Sequence, residues 1–126
     1  MSFTNFLETE ILDHVFAGAA YTAPGTKYIG LFTAAPGETG GGTEVSGNGY
    51  TRKSIAFATS GATTSNNAAV EFPTATGTWG TITHVGIFDA ATSGNLMVYA
   101  TLTASKTVAS GDVFRVPSGD LDITLN

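Results

Sequence analysis

Cysteine is absent from this chain. That excludes disulfide frameworks and thiolate metal sites, and it leaves the redox compartment unread. Fixed charge is scarce: Asp, Glu, Lys and Arg make up 12% of the residues, about half of the roughly 25% usual in soluble domains. The cations are Lys27, Arg52, Lys53, Lys106 and Arg115, set against ten carboxylates for a net charge of −5. A nucleic-acid binder needs clustered Lys and Arg to displace counterions. Arg52-Lys53 is the only adjacent pair, so nucleic acid is not expected as a partner. No apolar run approaches the ~20 residues of a membrane span. The opening Met1-Ser-Phe-Thr-Asn-Phe-Leu-Glu8 lacks the basic region and apolar run of a signal peptide. The expectation is a product made and used without Sec export and without a membrane partner.

What the chain does hold is short alternations and turns. At 126 residues it is read as a single domain over 1–126. Residues 2–17 are the one good helix. Phe3, Phe6, Leu7, Ile11, Val15 and Phe16 recur at three- and four-residue steps and form one stripe, with Ser2 or Thr4 as N-cap and Gly18 as the stop. That stripe must pack on the chain's own sheet or on a neighbouring subunit. A β-rich body follows over 27–126. Lys27 to Thr33 is apolar on both faces and reads as a central, covered strand. Residues 34–49 are rich in glycine and read as a long loop, functional or mobile. Strands follow over Tyr50–Ala58, Ala68–Pro73, Gly80–Asp89, Asn95–Thr103, Lys106–Ser110, Asp112–Pro117 and Asp120–Asn126. About seven or eight short antiparallel strands at roughly ten-residue spacing favour a β-sandwich or jelly-roll-like barrel with one N-terminal helix.

Catalytic patterns are thin. The two histidines, His14 and His84, stand in no metal-ligand spacing, and no serine lies in a Gly-x-Ser-x-Gly elbow. Asp89 and Asp112 fall at turns, where an Asp bonds backbone N–H groups. Asp120 and Asp122 share one strand face; a Ca²⁺ site needs six or more oxygens, so a solvated face is the better reading. No catalytic residue, metal ligand or cofactor site is assigned, and an enzyme is not expected. Trp79, the only tryptophan, reads either as core packing or as an anchor at a subunit contact.

Four stretches carry a resemblance. They are Phe3-Thr-Asn-Phe-Leu-Glu-x-Glu-Ile-Leu-Asp-His-Val-Phe16, Tyr28-Ile-Gly-Leu-Phe-Thr-x-x-Pro36, Phe72-Pro-x-Ala-x-Gly-x-Trp-Gly-Thr-Ile-Thr-His-Val-Gly-Ile-Phe-Asp-Ala90 and Ser105-Lys-Thr-Val-x-x-Gly-Asp112. Together they resemble a family of small virion proteins of tailed bacteriophages, whose members include capsid cement (decoration) proteins and proteins labelled tail fibre. The resemblance implies no catalytic residue. It implies a cement protein on the outer surface of the head, bridging neighbouring major capsid subunits, with the major capsid protein and copies of itself as partners, as a homotrimer or another homo-oligomer. The alternative is a tail or tail-fibre component that faces the host. The candidate capsid or subunit contacts are Phe3, Phe6, Leu7, Ile11 and Trp79.

Overall fold

The computed structural model describes residues 1–125. In chain order these run β1 (Ser2–Phe3), α1 (Asn5–Phe16), β2 (Lys27–Ala34), β3 (Thr43–Glu44), β4 (Lys53–Ile55), β5 (Phe57–Ser60), β6 (Thr63–Asn66), β7 (Val70–Glu71), β8 (Gly80–Phe88), β9 (Leu96–Val108), β10 (Arg115–Val116) and β11 (Asp122–Thr124). Every ladder is antiparallel. The main sheet is ordered β1-β9-β8-β2-β3, with β4 also pairing β2. β10 and β7 form a second sheet, and β11, β6 and β5 a third.

The alternation of β2 and β8 sets the core. Ile29 and Leu31 register against Ile87 and Val85 and are essentially sealed from solvent. Burying side chains of this size stabilises by about 1.5–3 kcal/mol each. Val70, Phe72, Phe114 and Val116, on or beside the small second sheet, close over the same cluster. Phe57 and Ile123 of the third sheet pack against its margin. On the other face of β2 and β8 sits a separate, smaller cluster of Phe32, Phe88 and Leu96, with Tyr99 against it.

A mainly β, antiparallel chain with an N-terminal helix is therefore what folds. The strands number eleven among the described residues, more than the seven or eight expected. Some lie where no alternation signals them, such as Thr43–Glu44, and the strand expected over Tyr50–Ala58 is replaced by two, β4 and β5. In the opposite sense, the segments expected at Asn95–Thr103 and Lys106–Ser110 are one strand, β9. The expected body ends at Asn126, which lies outside the described residues.

The helix also differs from the span 2–17. Ser2 and Phe3 pair with Tyr99 and Val98 instead. Thr4 ends that pairing and opens the helix: its N–H donates to Met97 O and its hydroxyl to Leu96 O at 2.7 Å, while its Oγ1 accepts from Leu7 N. A ladder on a free sheet edge satisfies backbone groups that the first helical turn would leave orphaned.

Candidate functional site

Glycine-rich residues 34–49 are pinned rather than loose. Val45 is buried, and its N–H donates to Leu31 O. Gly42 has φ +78, and a Cβ there would stand 2.6 Å from both Ala34 O and Ala35 O, so only glycine lets the chain double back. The segment is then tied down by charge. Arg52 grips Glu44 bidentately, Nε to Oε2 and Nη2 to Oε1, each at 2.8 Å. Tyr50 donates its hydroxyl to Glu44 Oε2 at 2.7 Å and accepts Leu31 N–H at 3.0 Å. Arg52 Nη1 donates to Ala90 O and Ser93 O in the turn between β8 and β9. The guanidinium carbon lies 3.4 Å from the centroid of the Phe88 ring, a cation–π contact.

This is the most concentrated polar chemistry in the described residues, and it is inward-looking. Both Glu44 oxygens are occupied, and the guanidinium spends its planar fork on fixed carbonyls and one carboxylate. Burial, then the bond to Glu44, pushes the Tyr50 pKa far above its ordinary value. The group is suited to holding a loop in place. From sequence Arg52 stands out only as half of the Arg52-Lys53 pair, within the strand expected over Tyr50–Ala58. The signal that could have found it is a carboxylate, Glu44, standing close to the only adjacent cationic pair in a charge-poor chain.

The histidines and several aspartates have local partners. His14 Nδ1 accepts from Tyr21 N, and His84 Nδ1 pairs with Thr83 Oγ1. Asp89 holds Asn95 and Asp112 holds the Ala109 N–H, as turn carboxylates do. Asp122 accepts from the Ser65 hydroxyl. Among the described residues no three of His, Asp and Glu gather as a metal site.

The candidate contacts separate. Trp79 is 5% exposed, its Nε1 donates to Asn48 O, and Tyr50 meets it edge-on at 5.3 Å. It packs in the core, as the first of its two readings has it. Phe3, Phe6 and Leu7 are half-buried against the chain's own core, and Ile11 is half-buried. The stripe does not stay together: Phe3 is on a strand, while the last turns of α1 run out over solvent. Leu12 is 57% exposed, Val15 59% and Phe16 81%. The free apolar surface of the helix is therefore its C-terminal end, Leu12 with Val15 and Phe16 of the expected stripe, C-terminal to the candidate contacts Phe3, Phe6, Leu7 and Ile11.

A family model described as "Podophage GP4 fiber I protein gp80" matches residues 2–124. The chain belongs to this family. It is a bacteriophage virion structural protein, as its motifs implied. The match runs from β1 to β11. No curated protein matches the chain.

Proposed function

We propose that the chain is a non-enzymatic fibre component of a tailed-phage virion, held by contacts with other virion proteins and with copies of itself. The observation that carries this reading is the match of residues 2–124 to a family described by a fibre protein. The internally satisfied Glu44–Tyr50–Arg52 cluster and the exposed Leu12, Val15 and Phe16 support it, because they suit a scaffold that presents surface rather than a pocket that does chemistry. Copy counting and immunogold labelling of purified particles test it. A few copies at the tail support it; hundreds of copies over the head reject it.

The second reading is capsid cement: a protein that bridges major capsid subunits on the outer head surface and stabilises the expanded shell. The motif resemblance and the low charge favour it, since a surface shared with neighbours needs less charge for solubility. Under this reading the purified chain binds expanded heads and raises their resistance to heat or chelator. Both readings take a homotrimer as the assembly, in keeping with the closed symmetry of most oligomers; sedimentation equilibrium measures it.

A further inference from the structure

β9 is 13 residues long, yet on the side away from β8 it is covered only from Leu96 to Tyr99, by Thr4 and β1. From Ala100 onward that edge has no ladder partner among the described residues. Its register with β8 also breaks here. Ile82 pairs Lys106 and His84 pairs Thr101, so a short step along β8 answers a longer one along β9. The surplus backbone from Leu102 to Ser105 bulges, and bulges re-aim a strand at sheet edges and functional sites.

A second wall faces this edge. The chain turns where Asp112 accepts the Ala109 N–H, then returns with Lys106 Nζ 5.9 Å from the Phe114 ring centroid. β10, on this returning segment, has a single ladder partner, β7. Between the two walls runs a groove of about 690 Å³. Its lining is apolar along the middle, with Val85, Leu102, Val116 and Leu121. Lys106 stands over Phe114, with Arg115 next to it in the chain; Asp120 and Asp122 flank Leu121, and Asp122 also accepts from the Ser65 hydroxyl.

We propose that this groove takes an extended segment of another virion polypeptide as an added strand on β9, antiparallel to it and in line with β1. Unpaired N–H and C=O groups on a strand edge are a template for exactly one kind of ligand, another backbone. β1 already occupies the same edge in the same sense. Alternate side chains of the segment would meet the apolar lining. The charged ends set its polarity: an acidic residue at its N-terminal end against Lys106 and Arg115, a basic one at its C-terminal end against Asp120 and Asp122. A second copy's β9 is a poor fit, because it arrives with its own β8 and its own facing wall, whereas this slot is lined on both sides. Until it is filled, Lys106 guards the edge, as edge lysines do. The proposal does not depend on whether the chain sits on head or tail.

The probes are two capped heptapeptides, EVTVTVK and its charge-reversed counterpart KVTVTVE, titrated onto the 126-residue chain and followed by amide NMR. EVTVTVK should give saturable shifts at Ala100–Lys106 and Phe114–Val116 and bind about tenfold more tightly than KVTVTVE. The double variant Lys106→Glu/Arg115→Glu should reverse that preference. Ala104→Pro, in the bulge and without a β8 partner, should weaken EVTVTVK about tenfold; should that variant lose its fold, the preference reversal decides alone. Absence of saturable shifts at millimolar peptide overturns the proposal, as do equal binding of the two peptides or shifts that map elsewhere. Self-association abolished by the double variant overturns it too, because the occupant is then a second copy.

Discussion

At Gly30 an added Cβ would stand 2.8 Å from Glu44 Oε2, 2.9 Å from Phe88 Cε2 and 3.2 Å from the Tyr50 hydroxyl. None of the three can step aside freely. The carboxylate is held by Arg52 and Tyr50, and the Phe88 ring lies 5.9 Å from Phe32 in a stack. Gly30→Ala should therefore cost about 1–3 kcal/mol, the range for overpacking, read as a lower urea midpoint at unchanged slope. Arg52→Lys keeps the charge but loses the fork, and should cost about 2 kcal/mol, the scale of hydrogen bonds to charged groups. Tyr50 adds a pH dependence. Its folded pKa is raised well above the ordinary 10.0, by burial first and the Glu44 bond second. Above about pH 10 an unfolded tyrosine gives up its proton while the folded one keeps it, so the unfolded state binds fewer protons and stability falls as pH rises. Tyr21, raised by burial and then by Asp89 and Glu10, acts in the same direction. The melting temperature should decline above about pH 10. Tyr50→Phe should flatten that decline while lowering the melting temperature at neutral pH, because Leu31 N–H then loses its acceptor.

At the scale of elements, two ends of one helix make opposite predictions. Thr4 is buried, caps α1 and bonds two carbonyls of β9. Thr4→Ala should cost about 2 kcal/mol, the sum of a lost cap and an unsatisfied strand end. Phe16→Ser, at a side chain 81% exposed, should change the isolated chain's stability by no more than about 0.5 kcal/mol. Chemical denaturation of both variants checks the contrast. A large loss in Phe16→Ser would mean that the helix end is already covered, as in a stable oligomer. These elements also show what the sequence could tell. β2 and β8 were legible because their alternation is complete and both faces are buried. β1 was not, since Ser2 and Phe3 continue the helical spacing and only the edge of β9, nearly a hundred residues on, draws them away. The same holds for β3 and the Glu44 clamp. No alternation marks Thr43–Glu44 as a strand; a guanidinium and a phenol from the next segment order it. Trp79 stayed ambiguous for a similar reason: its indole partner, Asn48 O, lies inside the glycine-rich stretch.

For the molecule as a whole, the decisive fact is that three sheets share one core. Val70 and Val116 of the second sheet belong to the same buried cluster as Ile29 and Val85 of the first, and Phe57 and Ile123 of the third rest on its margin. No sheet can leave without exposing the apolar face of another. Unfolding should therefore be a single cooperative transition, with the loss of far-UV ellipticity and the change in Trp79 fluorescence superimposing in urea. The fluorescence is a fair witness because Trp79 sits where Tyr50, Phe72 and Asn48 converge, in the seam between the glycine-rich segment and the core. A fluorescence transition that precedes the ellipticity would show the pinned segment releasing on its own, and the Glu44–Arg52 clamp would then be a local latch rather than part of the global fold. Folding should also be slow for the chain's length, in milliseconds to seconds, because the main sheet is built on non-local pairings such as β2 with β8, and β1 and Thr4 can pair only once β9 is in place. Stopped-flow refolding of Thr4→Ala tests that ordering. If the N-terminal strand docks after the main barrier, the variant unfolds faster and refolds at nearly the parent rate.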